Sequence, residues 1–147
     1  AACVKLGADK GINYRTQDFL EEIKAATGGK GVDVILDMVG GPTTDGSTKA
    51  LAPFGRHVVY GMAGRVPPKD VSVGMLMGTS RAVIGFWLVH CMTKPGMMDA
   101  AMNDLIALVS SGELRTIEGG SFPLADARAA HEAIRGRGTT GKLILVP

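Results

Sequence analysis

The stretch Val32-Asp33-Val34-Ile35-Leu36-Asp37-Met38-Val39 decides the fold. It is nearly all apolar and rich in β-branched residues, the mark of a strand buried on both faces of a parallel sheet. Downstream, Gly40-Gly41-Pro42 turns the chain, and Thr44 to Leu51 reads as a short helix closed by Pro53 and Gly55. Arg56-His57-Val58-Val59-Tyr60 is the next strand and ends in Gly61-Met62-Ala63-Gly64. Upstream, Thr16 is a plausible N-cap for a helix whose Phe19, Ile23 and Ala26 share a face and which Gly28-Gly29 stops. Before it, Gly11-Ile12-Asn13-Tyr14 is short but compatible with a strand, and Ala1 to Leu6 reads as the end of a helix terminated by Gly7.

Further on, a loop with Pro67-Pro68 leads to a Met-rich stretch, Met75 to Gly78, and then to an apolar run, Ala82 to Val89. Pro95 opens a predicted helix to Ser111. Met98, Ala101, Met102, Leu105, Leu108 and Val109 recur in it at helical spacing, and Gly112 ends it. Phe122-Pro123-Leu124 reads as a turn into a helix over Ala125–Ile134, and Thr140-Gly141-Lys142 leads to a final strand, Leu143 to Val146. Strands alternating with helices, the central ones apolar throughout, imply an α/β fold: a doubly wound parallel sheet. The ligand crevice of such a sheet lies beyond the carboxyl ends of its strands.

The 147 residues suit one domain, and with 46% apolar and 20% charged residues a packed core is feasible. A net charge of +2 from dispersed Lys and Arg gives no nucleic-acid footprint. Cys3 and Cys91 are far apart and there is no Cys/His cluster, so no zinc ligand set is visible and a reducing, cytoplasmic compartment is expected. No apolar run reaches a membrane span. Asp33 and Asp37 share a face of a strand, where a structural role outweighs an acid/base dyad. His57, His90 and His131 are scattered and form no ordered triad. No catalytic acid or base stands out.

The ordered motifs carry more. Leu-Gly-Ala-Asp (6–9), Ile-Asn-Tyr-Arg (12–15), Thr-Gly-Gly-Lys-Gly-Val-Asp (27–33) and Asp-Met-Val-Gly-Gly (37–41) are followed by Leu-Ala-Pro-Phe-Gly-Arg (51–56) and Ile-Gly-Phe-Trp-Leu (84–88). Phe-Pro-Leu-Ala-Asp-Ala (122–127), Ala-His-Glu-Ala (130–133) and Thr-Thr-Gly-Lys-Leu-Ile-Leu (139–145) complete the series. The series resembles the medium-chain dehydrogenase/reductase superfamily, in its quinone oxidoreductase (zeta-crystallin-like) branch. The resemblance implies a Rossmann-type dinucleotide-binding domain that is incomplete over residues 1–147. The first strands, the glycine-rich phosphate loop and the GroES-like catalytic domain of the family are absent from this sequence, and no G-x-G-x-x-G follows a strand.

The resemblance implies zinc-independent reduction of a quinone or enone with hydride from NADPH, NAD remaining open. It implies cofactor contacts at Tyr14 near the adenosine phosphate, and at Val39, Gly40 and Thr43 in the strand-to-helix turn. It places Tyr60, Gly61, Met62 and Ala63 on the nicotinamide side, and Phe86, Trp87 and Leu88 against the carboxamide. Each also has a plainer reading: Tyr14 packing at the sheet edge, Tyr60–Ala63 forming a simple turn, Trp87 packing in a core. Alone, the chain is expected to be inactive. The alternative is a non-catalytic structural or dimerisation module, with Val83 to Val89 as the pairing edge of a homodimer.

In the doubly wound order 3-2-1-4-5-6 the Ile12 and Val34 strands would stand about 14 Å apart, three steps of about 4.8 Å. One of three arrangements is therefore expected: a longer polypeptide supplies the missing strands, a second copy pairs with the Val34 edge, or the Ile12 strand moves into the gap.

Overall fold

A computed structural model describes residues 2–147. Within them the chain divides into two compact units, the first ending at His90 and the second spanning Cys91–Pro147. The first unit holds a three-stranded parallel sheet of β1 (Val32–Asp37), β2 (Leu51–Val59) and β3 (Ala82–Gly85), in that order. Helices α1 (Ala2–Lys5), α2 (Phe19–Ala26), α3 (Gly41–Lys49) and α4 (Val73–Thr79) lie between or before the strands, and α5 (Leu88–Met92) follows them. Helix α3 packs on the sheet and α2 packs on α3, where the Phe19 ring meets Gly46 so closely that a Cβ on Gly46 would stand 2.5 Å from it. The core under α3 is small: Ala50, Leu51 and Ala52 are buried together with Asp37, Thr44, Thr48 and His57.

The second unit holds α6 (Met97–Ser111) and a two-stranded parallel sheet, β4 (Glu118–Pro123) with β5 (Lys142–Val146). A 3-10 turn at Leu124–Asp126 and helix α7 (Ala127–Arg135) connect these strands. Ala127, Ala130 and Ala133, spaced three apart, form the less exposed face of α7, which packs against both strands.

Several boundaries differ from the sequence reading. The helix end read over Ala1 to Leu6 is α1, with Ala1 outside the described residues. Gly11–Tyr14 is not a strand. It has no neighbour to pair with, and Asn13 instead nucleates a turn: its carbonyl accepts from the Thr16 and Gln17 N–H groups, its side chain from Arg15 N–H. The cap of α2 is accordingly Asp18, which accepts from Leu20 and Glu21 N–H, rather than Thr16. The Ile12 segment therefore does not fill the gap beside β1.

Strand β1 stops at Asp37, and it is not buried on both faces. Asp37 faces α3, whereas Val34 and Leu36 on the opposite face are 55% and 69% exposed. Pro53 and Gly55, read as helix stops, lie inside β2. The strand bulges there, because pairing with β1 jumps from Val32↔Leu51 to Val34↔Arg56. Gly55 is needed at the bulge: a Cβ would lie 2.9 Å from the Ala52 carbonyl oxygen. The helix read over Thr44–Leu51 begins earlier, at Gly41, and ends at Lys49.

The Met-rich stretch lies within α4. The run Ala82–Val89 divides into β3 and the start of α5. Helix α6 starts at Met97 after a left-handed Gly96, not at Pro95. Phe122-Pro123 ends a strand instead of opening a turn.

Candidate functional site

In a parallel sheet all strands leave at the same end. The register pairs Asp37 with Val59 and Val59 with Gly85, so Met38–Gly41, Tyr60–Gly64 and Phe86–Leu88 emerge side by side. Hydrogen bonds continue past the strands: Tyr60 N–H donates to the Asp37 carbonyl (2.9 Å), Ala63 N–H to that of Met38 (2.8 Å) and Gly64 N–H to that of Val39 (2.8 Å). Phe86 N–H donates to the Val59 carbonyl at 2.9 Å. The structure thus brings together Val39, Gly40, Tyr60, Gly61, Met62, Ala63, Phe86, Trp87 and Leu88, with Thr43 half-buried in the first turn of α3. Tyr14 lies elsewhere, exposed in the turn ahead of α2, and makes no hydrogen bond to these segments.

The site is an open apolar rim with one tight seam. Tyr60, Met62, Phe86, Trp87 and Leu88 are all exposed. Gly40 is buried at φ 86°, and a Cβ there would lie 2.7 Å from Met62 Cγ and 2.8 Å from the Val66 carbonyl oxygen. Exposed aromatic side chains along such a rim suit a flat, weakly polar ring.

Beneath the rim lies a buried polar network that the sequence reading missed. Asp37 Oδ1 accepts the Val39 N–H at 2.7 Å, and Oδ2 accepts the Thr44 hydroxyl at 2.6 Å. His57 Nε2 is 3.2 Å from the same Oδ2, and Thr48 Oγ1 is 2.9 Å from His57 Nδ1. Burial pushes the Asp37 carboxyl up, but the hydrogen bonds from Thr44, Val39 and His57 and the attraction to His57 outweigh it, so it sits below the usual carboxylate value. The one available signal was periodicity: Thr44 and Thr48 share a helix face, and Ile35, Asp37 and His57 fall on one sheet face once the strands are in parallel register.

A cleft of the first unit lies at the other end of the sheet. It is lined by Leu20, Lys24, Lys49, Leu51 and Arg81, among others, and includes none of the strand-end residues. Among the described residues no three His, Cys, Asp or Glu side chains are grouped to hold a metal ion, and both cysteines are free. The spacing Gly136-Arg137-Gly138-Thr139-Thr140-Gly141 runs from helix α7 to strand β5, the reverse of the strand-to-helix order that cradles a pyrophosphate.

Comparison with known proteins adds to this geometry. The family model for zinc-binding dehydrogenases matches residues 6–145. A 2-haloacrylate reductase from a Burkholderia species is 38% identical over 97% of this chain, which covers 43% of that relative. Quinone oxidoreductase 1 of Escherichia coli strain K12 is 33% identical over 99% of this chain and 45% of its own length. The solved structure of an Escherichia coli quinone oxidoreductase complexed with NADPH superposes with a TM-score of 0.86 at 34% identity, over 99% of this chain and 45% of that one. The chain therefore spans less than half the length of these relatives.

Proposed function

This chain belongs to the zinc-binding dehydrogenase family, and from that premise we propose that it is the nicotinamide-side portion of the cofactor domain of an NADPH-dependent reductase acting on quinones or related conjugated carbonyl compounds. The observation that carries the reading is the convergence of three parallel strand ends on an open apolar rim, with the buried Gly40 letting the first strand-end turn close against Met62 and Val66. That the Escherichia coli quinone oxidoreductase was solved with NADPH supports the choice of cofactor.

In this reading the backbone of Val39–Gly40 and of Gly61–Ala63 approaches the ring closely, and Tyr60, Phe86, Trp87 and Leu88 flank it, with Thr43 beside the turn. Tyr14 belongs to the adenosine side. The cofactor supplies the hydride; the protein orients the ring and excludes water. No side chain here is assigned as acid or base, and the chain alone is inactive. The reading takes the reduction to be zinc-independent. The reading includes a cytoplasmic homodimer that pairs through the outer strand β3, and no partnership with nucleic acid or membrane. No helix among the described residues is long and apolar enough to cross a membrane.

The test is a chimera: the amino-terminal portion of the Escherichia coli quinone oxidoreductase joined to this chain, assayed for NADPH oxidation with a quinone and with 2-chloroacrylate. Turnover that survives a strong chelator is the expected result. A folded chimera that consumes no NADPH with either substrate, while the parent is active, sinks the proposal.

A further inference from the structure

Val39 N–H stands just beyond the end of β1, and its partner is a side chain, Asp37 Oδ1, at 2.7 Å. The other oxygen of that carboxylate is held from behind by Thr44 on α3 and His57 on β2. We propose that the buried chain Thr48–His57–Asp37–Thr44 is a positioning device that sets the main-chain conformation of the Val39–Gly41 turn and, through it, of Met62–Gly64.

The hydrogen-bond directions support a fixed carboxylate. A lone pair of His57 Nε2 facing Asp37 Oδ2 at 3.2 Å would be repelled, so Nε2 carries a proton and donates. Nδ1 then accepts the Thr48 hydroxyl at 2.9 Å. If the ring takes a second proton, Nδ1 donates instead and the Thr48 hydroxyl turns to the Thr44 carbonyl at 3.3 Å. Both states keep the proton between His57 and Asp37, so the Asp37 orientation survives a change at Nδ1.

From Asp37 the constraint passes along the backbone. Val39 N–H is held by Asp37, and the Val39 and Met38 carbonyls accept Gly64 and Ala63 N–H. Gly40 fits against Met62 and Val66 with no room for a methyl group. A buried polar network around a carboxylate is not needed for stability alone, since apolar residues of similar volume often serve as well or better. What an apolar replacement cannot do is accept the Val39 N–H.

The geometric part of the proposal stands on its own; its consequence for NADPH rests on the function proposed above. The test uses Thr44→Val, Thr44→Ser and Asp37→Asn, with backbone amide exchange followed residue by residue. Thr44→Val and Asp37→Asn should speed exchange at Val39, Ala63 and Gly64 by about tenfold beyond any change at Val32 and Ala52, and Thr44→Ser should restore it. In the chimera, Thr44→Val should weaken NADPH binding by about tenfold and Thr44→Ser should recover it. Uniform acceleration across the sheet, or none at Val39 and Gly64, overturns positioning. If the parent chimera does not bind NADPH, the cofactor reading fails while the exchange result still decides the geometry. Should Asp37→Asn fail to fold, the Thr44 pair carries the test.

Discussion

Gly40 shows how one residue fixes the site. Its φ of 86° lies where a side chain is strained, and a methyl group would meet Met62 and Val66 inside van der Waals contact. Gly40→Ala is expected to cost about 1–3 kcal/mol, read as a lower urea midpoint, because backbone strain and overpacking add. An unchanged midpoint would mean the seam relaxes freely. Asp37 governs the acid limb. Its folded-state carboxyl lies below the ordinary value, so its contribution is present above about pH 3.9 and is lost as pH falls through the lower folded value. Asp37→Asn lacks this titration. The stability gap between the native chain and Asp37→Asn should therefore be full at neutral pH and shrink below about pH 4 in urea unfolding. A gap that stays constant to pH 3 would show that folding does not lower the Asp37 carboxyl below its ordinary value. The exposed pairs Lys24–Glu21 and Lys30–Asp33 are screened by water and carry no such weight.

At the scale of elements, what could be read from the sequence was what local periodicity dictates. The run through β1, the amphipathic face of α2, the spacing of α6 and the closing strand all appear where the residues place them, within a few positions. What could not be read depends on neighbours. Gly11–Tyr14 has strand-like residues but no ladder to join, so local hydrogen bonding by Asn13 wins. Pro53-Phe54-Gly55 looks like a stop, yet a bulge absorbs it, and Phe54 at φ 65° donates its N–H to the Ser80 carbonyl at 2.6 Å. Strand β4 carries two glycines and a proline and has no strand signal without β5 beside it. The Asp37–His57 contact joins residues 20 apart in sequence and follows only from the parallel register. The most diagnostic strand is also the least satisfied: β1 is an outer strand, with apolar Val34 and Leu36 facing water. Such an edge recruits other strands unless charge blunts it. Apart from the β3 pairing proposed for the homodimer, the chain by itself is expected to associate through this β1 edge as well, and Val34→Lys with Leu36→Lys should weaken that second association about tenfold, or about 1.4 kcal/mol, by sedimentation velocity. Equal association of both proteins would place the contact elsewhere.

For the whole molecule the question is how much of a dinucleotide these residues can hold. The strand ends offer backbone and apolar surface, which suit a nicotinamide ring, but a pyrophosphate asks for free N–H groups at a helix N-terminus after a strand. Helix α3 does follow β1, yet its first turn contains Pro42, which has no N–H to offer, and Gly136–Gly141 runs into a strand instead of a helix. The described residues thus favour one half of the ligand. Calorimetric titration of this chain with NADPH is expected to give a dissociation constant no tighter than about 10 μM, because the charged middle of the ligand contributes little. Nicotinamide mononucleotide should perturb the amides of Gly40, Gly61 and Ala63, whereas adenosine 2′,5′-bisphosphate should leave them unmoved. Sub-micromolar NADPH binding by this chain, or displacement by the bisphosphate, would mean that cations such as Lys49 and Arg81 take the phosphates at the far end of the sheet, and the strand-end site would have to be abandoned.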